Sequence, residues 1–247
     1  MPKFCANLSM LFGEYPLLER FGAARGSGFK AVEVLFPYDD PVPDILAMLS
    51  RNELDLALIN CPPPNYTGGA RGFAAVEGSR FQQDFRRALR YAKALGATHL
   101  HIMAGVASGS QARTTFVENL RWAAGFAPDQ SLTIEPINPD DMPGYFLNDF
   151  DLACDVIREV DAPNLRLQFD AYHAQKITGD VLATWSKCRD LVVHVQVGQT
   201  PNRSEPDAGE IDYPDFFNQL DKDGYKGWVS GEYTPAGRTD EGLSWTR

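Results

Sequence analysis

Three carboxylates and one amide recur along the second half of this 247-residue chain at intervals that can bring them to one point. Glu135 closes the run LTIE, Asp170 closes LRLQFD, Gln196 lies near the end of LVVHVQV, and Glu232 follows GWVSG. The successive spacings are 35, 26 and 36 residues. Carboxylates gathered together repel and hold their protons more tightly, and a bound divalent cation relieves the repulsion. An all-oxygen set, with Gln196 binding through its amide carbonyl, favours Mg²⁺ or Mn²⁺ over Zn²⁺. Three negative charges against one divalent ion leave a surplus, so one glutamate can ligate and still act as a base. A single acid at a strand end is as often an N-cap or a loop hydrogen-bonding group. Four such residues in register point to a metal site.

Each spacing is about the length of one β/α unit. Short apolar runs alternate with longer amphipathic segments along the whole chain. The strand candidates are Phe4 to Leu8, Ala31 to Phe36, Leu54 to Asn60, His99 to Met103, Leu132 to Glu135, Leu165 to Asp170, Leu191 to Val197 and Gly227 to Tyr233. Between them the spacing predicts helices over about 16–26, 43–51, 79–95, 114–126, 147–160, 180–188 and 213–223. The stretch CPPPNYTGGARG reads as an irregular loop. Alternating strands and helices imply a parallel sheet, and eight units in a chain of this length fit a (β/α)₈ TIM barrel spanning residues 1–247 as one domain. A doubly wound open sheet would carry a glycine-rich phosphate turn after its first strand; here that place holds NLSMLFGEYP. In a TIM barrel the residues that do chemistry sit at the C-terminal ends of strands, where all four candidates fall.

The net charge of -10 argues against a surface built to neutralise nucleic-acid phosphates. The four cysteines form no C-x-x-C pair, which reads as reduced thiols. The N-terminus has no signal-peptide pattern and no apolar run is long enough for a membrane span, so a cytoplasmic protein is expected.

At these residues the chain resembles the hydroxypyruvate isomerase family of the sugar isomerase/epimerase group, with its xylose-isomerase-like TIM barrel. The matching segments are FCANLSMLFGEYP, AVEVLFPYD, TIEPIN, QFDAYHAQK, HVQVGQTPNRSEPDAGEIDY and GWVSGEYTP, spread over essentially the whole chain. IEPIN is closer to hydroxypyruvate isomerase; DAYHAQK and HIMAGV are partly like its relative 2-oxo-tetronate isomerase. The resemblance implies that Glu135 and Glu232 are the proton donor and acceptor, and that these two with Asp170 and Gln196 hold the metal. It implies a small hydroxy-keto acid substrate, hydroxypyruvate interconverting with tartronate semialdehyde through an ene-diolate, and is compatible with a homo-oligomer.

A substrate carboxylate calls for a cation. Arg71 and Arg203 are candidates because arginine matches carboxylate geometry, with Arg203 the better fit by resemblance to the epimerases; Lys176 is a third option. The resemblance also places His173 against substrate oxygens, the alternative being a loop histidine bonded to a backbone carbonyl. His194 shares a strand face with Gln196 and is expected to fill the barrel beneath it. His99 and His101 fall early in their run and read as structural. Glu33 is open between the mouth and the barrel interior; Phe12, Tyr172 and Tyr233 are open between pocket wall and core. Rival readings are 2-oxo-tetronate isomerase, a ketose 3-epimerase, a multi-zinc DNA-repair endonuclease and a non-catalytic sugar-acid binding protein. The epimerases usually carry histidine where Gln196 stands, and the endonuclease needs more histidines than the four present.

Overall fold

The computed structural model describes residues 1–61 and 71–246. Its eight strands are β1 (Lys3–Asn7), β2 (Ala31–Glu33), β3 (Asp55–Asn60), β4 (His99–His101), β5 (Ser131–Ile134), β6 (Leu165–Asp170), β7 (Val192–Val197) and β8 (Trp228–Gly231). They pair in chain order, all parallel, and β1 closes on β8 to complete a barrel. Among the described residues the helices are α1 (Leu17–Gly26), α2 (Val42–Arg51), α3 (Arg80–Leu95), α4 (Gly109–Phe126), α5 (Phe150–Val160), α6 (Ala171–Thr178), α7 (Val181–Cys188) and α8 (Tyr213–Lys222). None is long and apolar enough to cross a membrane. Residues 62–70 of the expected irregular loop lie outside the described residues.

The helices form where apolar residues recur at helical spacing, and local capping sets their ends. Asp149, Asp180 and Asp212 each accept a backbone N–H from the first turn of α5, α7 and α8. α3 stops at Gly96, which takes the left-handed conformation that a β-carbon would strain. Several elements differ from expectation. β2 and β4 end earlier than their apolar runs, and α6 occupies a stretch expected to be loop. Asp170 starts α6 by accepting the Tyr172 backbone N–H, and Gly179 ends it.

Strand alternation sorts the side chains. Outward-facing Phe169 packs on Phe150, Trp185 and Phe216 of the helices. The inward face is polar over much of its height: Asn7, Glu33, His99, His101, Thr133, Gln168, His194, Gln196 and Ser230 are all buried. TIM barrels ordinarily fill this space with branched aliphatics. Below the polar layer, toward the strand N-termini, Cys5, Ala31 and Ala57 make a small apolar plug. The four cysteines are free thiols.

Candidate active site

The strand register carries the four predicted residues to one end of the barrel. Asp170 pairs with Gln196 across β6 and β7, and Gln196 pairs with Ser230 across β7 and β8. Glu135 follows β5 by one residue and Glu232 follows β8 by one, its N–H held at 3.0 Å by the Val197 carbonyl. Arg203 reaches over from the β7–α8 loop. Its Nη2 donates to Asp170 Oδ2 at 2.7 Å and to Glu232 Oε1 at 2.9 Å, while its Nε donates to the Glu232 carbonyl at 3.1 Å. On the other side Gln168 Nε2 donates to Glu135 Oε2 at 3.1 Å and to Gln196 Oε1 at 2.7 Å. Arg203 thus ties Asp170 to Glu232, Gln168 ties Glu135 to Gln196, and ligand atoms of Glu135 and Asp170 come within 4.8 Å of each other.

Burial is the largest influence on all three carboxyls, and it raises their affinity for protons. The charges of Glu232 and Asp170 push Glu135 further up, against the pull of Arg203. Glu232 is pushed up to about 8, with Arg203 opposing burial. Asp170 is raised by burial while Arg203 and the backbone N–H groups of Tyr172 and His173 oppose. Glu135 Oε1 is buried with no hydrogen-bond partner. An orphaned carboxylate oxygen among crowded acids is what a divalent cation would satisfy. Ligand atoms of Glu135, Asp170 and His173 lie within 4.8 Å of one another, a spacing that could hold such an ion.

These shifts predict a pH dependence of stability. A carboxyl with raised affinity in the folded chain favours folding below its unfolded value of about 4.3. That contribution fades as pH rises through the folded value, about 8 for Glu232. Burial pushes His99 and His101 down to about 3; each opposes the trend only below the unfolded histidine value of about 6.5. The melting temperature of EDTA-treated protein should therefore fall between roughly pH 6.5 and pH 8. Added Mn²⁺ or Mg²⁺ should raise it more at the upper end, where fewer protons must be displaced. A flat profile with no metal-induced shift at either pH would count against the site.

Beneath the cluster, Glu33 resolves its open assignment: it belongs to the barrel interior. Its Oε2 lies 2.6 Å from His194 Nε2, and its Oε1 accepts from Asn7 Nδ2 and Gln196 Nε2, each at 2.8 Å. Burial pushes this carboxyl up, but His194 and the donated hydrogen bonds outweigh it and hold it below the usual range. Because a carboxylate only accepts, Gln196 must turn its nitrogen toward Glu33 and its oxygen away. That oxygen takes one hydrogen bond from Gln168 and has a second lone pair for a ligand. Gln168 is itself fixed through Thr133 Oγ1, which donates to its Oε1 at 3.2 Å.

Around the rim, Arg203 is brought into the cluster and its guanidinium lies over the Tyr172 ring at 5.0 Å. Arg71 is exposed, 5.8 Å over the Phe36 ring, and contacts none of the four. Lys176 is paired with Asp140 at 2.7 Å. Phe12 and Tyr233 are buried; Tyr172 donates from its hydroxyl to Asp141. His173 sits in the first turn of α6, where Asn138 Nδ2 meets its Nδ1 at 2.7 Å, and not on a backbone carbonyl. His101 stands closer to the site than its place in the apolar run implied. β4 is only three residues long, so His101 ends it and brings Nε2 to 3.8 Å from Glu135 Oε2. Sequence reasoning did not single out Gln168, Asn138 or Asn7. Gln168 and Asn7 had usable signals, Gln168 two residues before Asp170 on the same strand face and Asn7 as an amide ending the first apolar run; Asn138 had none.

The profile of a family described as "Xylose isomerase-like TIM barrel" matches residues 21–247. The chain is 44% identical to "2-oxo-tetronate isomerase" of Cupriavidus necator, over 100% of this chain and 98% of that one. It is 40% identical to "Hydroxypyruvate isomerase" of Escherichia coli, over 99% and 98%. A crystal structure described as "AP endonuclease, family 2" from Brucella melitensis superposes with a TM-score of 0.96 at 42% identity, covering 99% of this chain and 98% of that one. With this likeness across the whole barrel, including the strand ends that carry the acids, the chain belongs to the xylose isomerase-like TIM barrel family and is an isomerase.

Proposed function

We propose that the protein is a hydroxypyruvate isomerase, interconverting hydroxypyruvate and tartronate semialdehyde by proton transfer through an ene-diolate. The observation that carries this reading is the pair Glu135 and Glu232, two carboxyls buried at the barrel mouth whose proton affinities burial raises, that of Glu232 to about 8. A group that takes a proton from carbon and returns it works best when its affinity lies near the working pH. One glutamate removes a proton from the hydroxymethyl carbon. The other delivers a proton to the neighbouring carbon, and the hydroxyl proton passes between the two oxygens. Glu135, Asp170, Gln196 and Glu232 would hold Mg²⁺ or Mn²⁺. When bound, such an ion supplies Lewis-acid stabilisation of the negative charge that develops on the substrate oxygens.

Arg203 holds Asp170 and Glu232 in place through Nη2 and Nε; Nη1 takes part in none of these contacts and is the group we assign to the substrate carboxylate. Arg71, exposed at the rim, would add to the attraction of an anion. We read the protein as cytoplasmic, with no nucleic-acid or membrane partner. An endonuclease reading finds little support in a cluster of three carboxylates and one amide bordered by two histidines, on a chain of net charge -10.

The Cupriavidus necator relative favours a second reading, 2-oxo-tetronate isomerase on the same residues. Assaying both keto acids side by side, with Mg²⁺, with Mn²⁺ and after EDTA, separates the two. The higher kcat/KM is expected for hydroxypyruvate. A clear preference for the four-carbon acid would transfer the assignment, and full activity in EDTA would remove the metal from it.

A further inference from the structure

Asn138 lies in the loop after β5 and is fully buried. Its Oδ1 accepts the backbone N–H groups of Asp140 at 3.1 Å and Asp141 at 3.0 Å. Backbone N–H groups only donate, so this end of the amide must be the oxygen. The nitrogen end then faces Asp141 Oδ2 at 3.1 Å and His173 Nδ1 at 2.7 Å. The Asn138 backbone N–H points at the same Nδ1 from 3.4 Å. Two donors aimed at Nδ1 require a lone pair there, and a neutral ring with its lone pair on Nδ1 carries its proton on Nε2. Nε2 is the atom on the site side, 3.7 Å from Asp170 Oδ2.

We propose that Asn138 is a positioning residue that locks His173 in the Nε2–H tautomer, so that the ring offers a hydrogen-bond donor, and no metal-binding lone pair, to the mouth of the barrel. The proposal rests on the functional reading above for the identity of the oxygen that receives this bond. It also separates His173 from the ligand set. Spacing alone would allow His173 to bind an ion with Glu135 and Asp170, but a protonated Nε2 has no electron pair to give. An all-oxygen ligand set follows, with the imidazole directed at a substrate oxygen. Asp140 and Asp141, which hold the amide, are fastened in turn: Lys176 pairs with Asp140, and the Tyr172 hydroxyl donates to Asp141 Oδ1 at 3.2 Å.

The test exchanges the two partners. In the double variant Asn138→Asp/Asp141→Asn, the carboxylate and amide trade places. Their mutual hydrogen bond, the backbone contacts and the Tyr172 contact can all persist. The new carboxylate at position 138 can only accept, so it draws the His173 proton to Nδ1 and turns the lone pair toward the mouth. In Mg²⁺-supplemented protein labelled with ¹⁵N-histidine, the His173 resonances are identified by their loss in His173→Gln. Wild type should show a pyridine-type Nδ1 and a pyrrole-type Nε2; the double variant should show the reverse. Its kcat/KM for the keto acid should fall roughly 10- to 100-fold, the usual effect of losing a residue that orients a site histidine. Its circular dichroism should be unchanged. If the double variant does not fold, Asn138→Ala serves: it removes the lock without adding charge, and should give mixed tautomers with a smaller loss of kcat/KM. A wild-type His173 protonated on Nδ1 overturns the proposal, and so does a reversed tautomer with wild-type kcat/KM. Should wild type turn over neither keto acid, the functional reading fails, while the ¹⁵N pattern still decides the lock.

Discussion

Glu135→Gln and Glu232→Gln should each lose about 10²- to 10⁴-fold in kcat, the range by which a positioned acid or base accelerates proton transfer. Glutamine keeps the size of the side chain and an oxygen that can accept from Gln168 in one case and Arg203 in the other. What it removes is the ability to take and return a proton. The fold should survive. Without metal near pH 8, each variant should be at least as stable as wild type, because each removes a carboxyl that burial and its neighbours disfavour in charged form. Steady-state kinetics with either keto acid, beside thermal melts, check both halves. Near-normal turnover in both variants would reject the assignment of the proton-transfer pair. Loss of turnover accompanied by a collapsed melting temperature would show a structural role instead.

The second large effect concerns stability. Glu33→Ala should cost about 3–5 kcal/mol, since each buried donor left without its acceptor costs roughly 1–3 kcal/mol. The deletion takes the acceptor away from His194, Asn7 and Gln196 together. Glu33→Gln should cost less, since an amide oxygen can still accept from some of these donors. Urea unfolding measures both. Because Glu33 is held below the usual carboxylate range, its contribution is present above an unfolded value of about 4.3 and disappears as pH falls below it. Glu33→Ala should also weaken Mn²⁺ binding roughly 10- to 100-fold, as Gln196 loses the partner that turns its oxygen outward. A variant as stable as wild type at neutral pH would mean that the buried pair contributes little.

The barrel and the four strand-end residues were legible in sequence for a definite reason. Parallel strands covered by helices are apolar almost throughout, so a carboxylate or amide at the end of such a run stands out. Glu135, closing LTIE, shows this, whereas Asp170 shares LRLQFD with Arg166 and Gln168 and stood out by its spacing from the other three. The same rule misled at β4, where the apolar run continues past the pairing and His101 looked early when it is terminal. α6 was missed because Asp170 does two things at once. Read as a site residue, it hid its second role as the N-cap of the helix that follows. The contacts beneath the site leave no periodic trace. Glu33 and His194 stand 161 residues apart and meet only because the barrel closes. Asn138 offers neither helical nor strand spacing; its importance lies in which end of its amide faces which neighbour.

The polar filling of the barrel has a consequence for how this protein can change over generations. Apolar interiors drift readily, since one methyl group can be exchanged for another nearby. Here the chain from Thr133 through Gln168 and Gln196 to Glu33 and His194 assigns each donor a particular acceptor. A change in any one member leaves another unsatisfied, so neutral paths through this layer need two or more substitutions at once. Innovation is then channelled to the loops at the mouth, which can accept new residues singly while the interior keeps the chemistry in place.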